Sequence, residues 1–190
     1  MDDVKTFLVL LRGINVGGKN KVSMAELKKC LEELGFFGVS TFIASGNVIL
    51  TSDRNADEIA AQIEAALSNA FKLDDEIVKV LVLTRDQLHA VVSDRPKGFG
   101  DHPEKFHSDA IFLMGIEAAD VMPIFNPREG VDRVWPGNGV VYSERLSAQR
   151  TKSRLSSIIK SPLYKSMTIR SWSTTIKLSE LIERGTHEEG

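Results

Sequence analysis

Five apolar residues in a row, Phe7 to Leu11, run directly into Arg12-Gly13-Ile14-Asn15-Val16-Gly17-Gly18-Lys19-Asn20-Lys21, and a helix-start signature follows at Ser23-Met24-Ala25-Glu26. An unbroken apolar run is what a strand buried on both faces requires. Ser23 and Glu26 stand at the spacing of a capping box, in which hydroxyl and carboxylate satisfy each other's helix-start amides, and Val22 and Leu27 occupy the flanking staple positions. The stretch therefore reads as a buried strand, a glycine-rich turn over residues 12 to 22, and a helix starting at about Ser23.

Three glycines in that turn allow positive φ and close backbone approach, and the helix start adds a positive dipole end. Arg12, Lys19 and Lys21 supply full charges. Arg12, Gly13, Asn15, Gly17, Gly18 and Lys19 are accordingly candidate ligand-binding residues for an anion, the alternative being a tight turn with solvated cations. Gly13-x-x-x-x-Gly18-Lys19 matches the first seven positions of a phosphate loop, but Asn20 stands where a Mg²⁺-binding Ser or Thr belongs. The capping signal also places Lys19 before the helix and not in its first turn, which argues against a nucleotide-hydrolysing loop.

Periodicity gives the rest of the first half as helix 23 to 34, strands 39 to 43 and 47 to 51, helix 56 to 71 and strand 77 to 83, with a short helix after Thr84-Arg85-Asp86-Gln87. Asp94 to Phe106 has two Pro, two Gly and mixed charge and reads as a linker. The order then recurs as strand 108 to 114, a helix near 117 to 125, strands 131 to 135 and 140 to 143, a helix near 152 to 160, strand 167 to 171 and a final helix 174 to 184. The expected fold is α+β, two tandem ferredoxin-like βαββαβ units packed together with a C-terminal helix. The boundaries are 1–93 for the first unit, 94–106 for the linker and 107–190 for the second. Reading the first and third strands as parallel neighbours places Arg12 to Lys21 near the end of strand 47 to 51, and Arg145 to Arg154 at the equivalent end of the other half.

The chain has 190 residues, one cysteine and a net charge of −2. Eight basic residues and no acidic one lie between Arg145 and Ser179, so a charge of −10 is left elsewhere. A basic surface on an acidic body is expected, and Arg150, Lys152 and Arg154 become candidate anion contacts. Met1-Asp2-Asp3-Val4 lacks the basic start of a signal peptide and no apolar run is of membrane-spanning length, so a cytoplasmic protein is expected, with no membrane partner. Cys30 fits the apolar pattern of its helix and reads as a small core residue. His102 and His107 have no further ligands at metal-binding spacing, so no metal and no cofactor is assigned.

Ser45-Gly46-Asn47 is either a plain hairpin turn or a place where Ser45 and Asn47 bring a hydroxyl and an amide beside the glycine loop. Arg170 and Trp172 either stack on a ring or base of a ligand, or Trp172 fills the gap between the halves.

Leu11-Arg12-Gly13-Ile14-Asn15-Val16-Gly17-Gly18, Met24-x-x-Leu27, Leu34-Gly35-Phe36, Ser45-Gly46-Asn47-Val48, Ser153-Arg154-Leu155 and Arg170-Ser171-Trp172-Ser173-Thr174 together resemble the bacterial family called domain of unknown function sixteen ninety-seven. The resemblance runs through nearly the whole chain and implies two linked α+β units, without implying an activity. The family pattern at the last motif has Asn where Ser171 and Ser173 stand.

Three readings of function remain open. One is an anion- or phosphate-binding module for a nucleotide, a phosphorylated small molecule or nucleic acid. The second is an enzyme on a small phosphorylated or carboxylated substrate, for which no motif selects a general base among Asp53, Asp86 and Asp109. The third is a structural or regulatory interaction protein, monomeric or homodimeric.

Overall fold

A computed structural model describes residues 3–74 and 78–185. The chain is α+β, with two four-stranded antiparallel sheets and a C-terminal helix. It divides into two units, one of Met1–His89 with Leu178–Gly190 and one of Ala90–Lys177. The stretch read as a linker thus belongs to the second unit.

In the first unit β1 (Lys5–Leu11) leads through the glycine-rich turn to α1 (Met24–Glu33), followed by β2 (Phe37–Phe42), β3 (Asn47–Ser52), α2 (Ala56–Ala70), β4 (Val80–Thr84) and the start of α3 (Arg85–Ser93). Ile77, where the last strand is expected to begin, lies outside the described residues. The strand order is β2-β3-β1-β4. Phe7, Val9 and Leu11 pack with Leu27 and Leu31 of α1 and with Ile59 and Ile63 of α2. Leu8 and Leu10, on the opposite face, are also fully buried, as the apolar run demands. Each such leucine contributes about 1.5 to 3 kcal/mol of transfer free energy.

Both long helices are fixed locally at their ends. Ser23 Oγ accepts from the Glu26 amide at 3.4 Å. α1 closes in a Schellman turn, with Gly35 at φ 87°, Gly35 N donating to Glu32 O at 3.0 Å and Phe36 N to Leu31 O at 3.2 Å. At α2, Asn55 and Glu58 form both arms of a capping box. Thr84 and Gln87 do the same at α3, at 2.9 and 3.1 Å.

The expectation of parallel first and third strands is wrong. β1 and β3 are antiparallel, Leu10 opposite Asn47 and Lys5 opposite Ser52, because the β2–β3 hairpin reverses the chain after the first crossover. The loop after β1 therefore lies beside the start of β3, not its end.

The second unit repeats this order: β5 (Phe106–Leu113), α4 (Ala118–Val121), β6 (Asp132–Pro136), β7 (Val140–Leu146), β8 (Met167–Ser171) and the start of α5 (Trp172–Gly185), with sheet order β6-β7-β5-β8. Ile111, Leu113, Val141 and Met167 pack under Val121, Leu155 and Ile158. The helix expected near 152 to 160 is instead a series of 3₁₀ turns, 147–152, 155–160 and 162–166. Ser153 and Ser161 accept the amides of Leu155 and Leu163 at 3.3 and 3.2 Å, offering the backbone an alternative to helical bonds, and Pro162 blocks continuation. The helix expected near 117 to 125 shortens to α4 and one 3₁₀ turn over the same stretch.

The stretch 94–106 folds onto this sheet. Phe99 is fully buried and meets the rings of Tyr142, Trp172 and Trp135 edge to face, at centroid separations of 5.2, 5.0 and 5.8 Å. Glu144, also buried, accepts from Gly100 N at 2.9 Å, from Ser108 Oγ at 2.7 Å and from the Arg133 guanidinium. A buried carboxylate so surrounded has its charge and lone pairs satisfied.

Candidate functional site

The glycine-rich turn is a small hairpin. Asn15 N donates to Asn20 O and Lys19 N to Val16 O, each at 3.0 Å, and the two residues at the tip, Gly17 and Gly18, have φ 58° and 76°. Positive φ at both central positions is a type I′ turn, open to glycine at little cost. The asparagines build the loop. Asn15 Oδ1 accepts from Val22 N at 2.9 Å, and its Nδ2 donates to Val22 O at 2.9 Å and to Ala44 O at 2.8 Å. Asn20 exchanges a reciprocal pair with Asp74, Asn20 N to Asp74 Oδ2 at 2.7 Å and Asp74 N to Asn20 Oδ1 at 2.8 Å. Asn20 Nδ2 also donates to Gly13 O at 3.0 Å, and Gly13 itself has φ 84°.

Leu11 N donates to Gly46 O at 2.9 Å, so the turn holding Ser45 and Asn47 lies against the glycine hairpin. There Asn47 Nδ2 donates to Ser45 Oγ and to Phe42 O, both at 2.9 Å. A side chain at Gly46 would run into Ile14 and Leu11. Arg12 is half-buried, whereas Gly17, Gly18 and Lys19 are exposed. The structure brings together the sequence-selected residues of this unit, with Asn15, Ser45 and Asn47 engaged in shaping the two turns.

Arg150, Lys152 and Arg154 are exposed in the 3₁₀ stretch after β7. They do not occupy the end equivalent to the glycine hairpin. β5 and β7 are antiparallel with Phe106 opposite Leu146, so the end of β7 lies beside the start of β5, at the opposite end of the strands. Arg154 N and Arg128 N both donate to Asp132 Oδ2 at 2.9 Å. Burial would raise the Asp132 carboxyl, but the amide of Arg154, the hydroxyl of Ser153, the amide of Arg128 and the charge of Arg145 outweigh it and hold the group below the usual carboxylate range.

Arg170 and Trp172 do not alternate along a strand, since Arg170 is in β8 and Trp172 opens α5. Both are 7% exposed. Arg170 Nη1 donates to Ile169 O at 2.9 Å and Thr168 Oγ1 at 3.2 Å, and burial lowers its guanidinium to about 10, still cationic at neutral pH. Trp172 lies in the Phe99–Tyr142 cluster, so the expected stacking platform is a core ring.

α5 starts two residues earlier than its apolar pattern suggests because Ser171 caps it: Thr174 N donates to Ser171 Oγ at 3.2 Å, and Ser171 Oγ lies 2.9 Å from Thr174 Oγ1 and 3.2 Å from Ser173 Oγ. A cavity of about 540 Å³ opens there, lined by Arg95, His107, Ser108, Ser171, Trp172 and Ser173 among others. Arg95 Nη2 pairs with Asp101 Oδ1 at 3.1 Å, and His107 Nε2 with Asp109 Oδ1 at 3.1 Å. A helix start with several hydroxyls, flanked by a guanidinium and an imidazole, is suited to an anion. Sequence reading missed Arg95, His107, Ser171 and Ser173. The signal available was Ser171 three residues before Thr174 and ahead of the apolar positions of α5, a helix-cap pattern.

Among the described residues no three His, Cys, Asp or Glu side chains converge as a metal site, and no helix is long and apolar enough to cross a membrane. Cys30 is half-buried, and burial, then the Glu33 carboxylate, push its thiol up, away from nucleophilic character.

A family model described as Protein of unknown function (DUF1697) matches residues 4–142. The chain belongs to the DUF1697 family. A solved structure, that of a conserved bacterial protein from Streptococcus pneumoniae, superimposes with a TM-score of 0.76 at 23% identity, covering 95% of this chain and 99% of the other. At that identity the likeness is one of fold. No curated protein matches. The DUF1697 match takes in the glycine hairpin and Arg95, His107 and Ser108, whereas Ser171, Trp172 and Ser173 lie beyond it.

Proposed function

We propose that this DUF1697 chain is a phosphate-binding module built on two ferredoxin-like units, and that it holds a phosphate-bearing ligand of nucleotide or sugar-phosphate size at the start of α5. The observation that carries the reading is the cavity of about 540 Å³ whose wall combines the capped helix start, Ser171 and Ser173, with Arg95 and His107. Its volume falls within the range of small-ligand pockets, about 300 to 1,000 Å³. The dipole and free amides of α5 would face the phosphate, and Arg95 would exchange its exposed partner Asp101 for a dianion at little cost. A concave site of this volume favours a small ligand over nucleic acid, which would contact an extended surface.

The test is a titration of the whole protein with adenine nucleotides, sugar phosphates, inorganic phosphate and short RNA, followed by melting temperature and calorimetry. Arg95→Gln and His107→Gln should each weaken a bound phosphate compound about tenfold, the loss of one charge-assisted contact. Arg150→Gln with Arg154→Gln should leave it unchanged. If the second pair abolishes binding and the first does not, the ligand site lies on the exposed 3₁₀ stretch. An affinity falling with salt at a log-log slope of about 0.7 to 0.9 per phosphate contact would mark nucleic acid instead.

The enzymatic reading is favoured by one observation, the His107–Asp109 hydrogen bond at the cavity wall, an imidazole oriented by a carboxylate as general bases often are. It would make His107 the base acting on a phosphorylated or carboxylated substrate. Turnover that disappears in His107→Gln, with binding retained, would establish it.

A further inference from the structure

A second cavity, of about 180 Å³, lies between the sheet of the second unit and its 3₁₀ turns, and shares none of its lining residues with the first. Its walls are aliphatic, with Leu155, Ile158 and Ile159 on one side and Ile111 and Ile169 on the sheet. Its charged groups are two, Asp109 on β5 and Arg145 on β7, with the hydroxyls of Ser143 and Tyr164 beside them. Asp109 is opposite Ser143 and His107 opposite Arg145, so Asp109 and Arg145 are diagonal neighbours on one sheet face.

Neither charge has its full set of direct partners: the Arg145 charge acts on the Asp109 and Asp132 carboxyls without a hydrogen bond to either, and Asp109 holds one hydrogen bond, to His107. Arg145 has no hydrogen-bond or ion-pair partner among the described residues, and its Nε is buried without one. Its cross-strand neighbour Asp132 takes two backbone amides on Oδ2, leaves a buried Oδ1 without a hydrogen-bond partner, and feels the Arg145 charge without a direct bond to it. Asp109 uses Oδ1 for His107 and leaves Oδ2 without a partner among the described residues. Burial raises the Asp109 carboxyl, opposed by His107 and Arg145, so a further cation beside it would be favourable. A buried guanidinium Nε–H without a partner is costly unless a ligand fills it.

We infer that this cavity binds a small aliphatic α-amino acid, its carboxylate on Arg145, its ammonium on Asp109 and its branched side chain against Leu155, Ile158 and Ile159. One cation, one anion and an apolar wall complement such a zwitterion. A plain carboxylate would meet Asp109 unpaired, and a plain amine would meet Arg145. The volume, below that of drug-sized pockets, excludes a nucleotide. The two cavities share no lining residue and touch only through the His107–Asp109 hydrogen bond, so Ile159→Trp tests this site without disturbing the phosphate reading.

Calorimetric titration of the whole protein with L-leucine, L-isoleucine and L-valine tests it, alongside 4-methylpentanoate, which lacks the ammonium, isopentylamine, which lacks the carboxylate, and glycine, which lacks the side chain. Saturable binding of the branched amino acids is expected, with each truncated compound weaker by about tenfold or more. Arg145→Gln and Asp109→Asn should each lower leucine affinity by a similar factor. Because either change touches half-buried groups, Ile159→Trp serves as a third variant: Ile159 lines the cavity yet is 59% exposed, so the indole would fill the mouth and leave the core intact. Loss of leucine binding in Ile159→Trp with an unchanged melting temperature supports the assignment. It is overturned if no branched amino acid binds up to about 10 mM, the limit of useful affinity. It is equally overturned if the truncated compounds bind as tightly as leucine, or if Ile159→Trp binds like the parent.

Discussion

The phenol of Tyr142 donates to the backbone carbonyl of Val91 at 2.6 Å, joining the middle of β7 to the last turns of α3. It satisfies one of the carbonyls that a helix end leaves open, in a place where water does not reach. Tyr142→Phe should therefore cost about 1 to 2 kcal/mol in urea unfolding at neutral pH, the penalty for a buried acceptor without its donor.

The same group predicts an alkaline limit. Burial, then the nearby Asp94 charge, push the Tyr142 phenol up to about 12 from its ordinary 10. A group whose folded value is raised stabilises fully below its unfolded value and ceases to do so as pH rises through the folded one. Stability should fall between pH 10 and 12 and Tyr142→Phe should flatten that part of the curve, as denaturant midpoints across the interval would reveal.

Asp132 predicts the opposite limb. Its carboxyl is held below the ordinary range, so its contribution is present above the unfolded value and vanishes as pH falls through the folded one. Asp132→Asn keeps the shape and loses the charge, and should destabilise at neutral pH while leaving less to lose on acidification. Parallel melting curves at pH 3 and pH 7 for parent and variant would check this; equal differences at both would refute it.

Glycine positions separate backbone strain from collision. At Gly17 and Gly18 an added Cβ meets open space, so Gly17→Val or Gly18→Val should cost only the left-handed conformation, about 1 to 3 kcal/mol. Gly100, at φ 74°, sits against the indole of Trp172, and Gly100→Val adds a collision in a packed core, so its cost should exceed either.

Ile43 holds φ 52° while half its side-chain surface faces water, at 51% exposure. A β-branched residue there is strained. Ile43→Gly should raise stability by about 1 kcal/mol, measured as a higher melting temperature. A lower one would show that the exposed isoleucine makes compensating contacts.

The β1 to α1 stretch was legible because three independent signals coincide at it, the apolar run, the glycines and the Ser23 cap. The direction of β3 relative to β1 needed only the rule that a hairpin reverses the chain, and misapplying it displaced the basic segment to the wrong end of the sheet. The stretch 94–106 looked like a linker because its Pro, Gly and mixed charge break any periodicity, whereas one residue, Phe99, decides its place. Serine side chains competing for amides, invisible to hydrophobic periodicity, turned the expected helix near 152 to 160 into 3₁₀ turns. The two cavities escaped sequence reading altogether. Arg95, His107 and Ser173 meet only where the 94–106 stretch, β5 and the start of α5 come together, and Asp109 and Arg145 only through strand pairing, so no spacing along the chain announces them.

Asn20 and Asp74 each hold the other's amide, 54 positions apart. A motion that separates the two residues releases both protons at once. Their hydrogen-exchange rates should therefore be nearly equal and should rise together on substitution of either residue. The glycine hairpin and Asp74 are thus tied into one kinetic unit, however far apart they were synthesised.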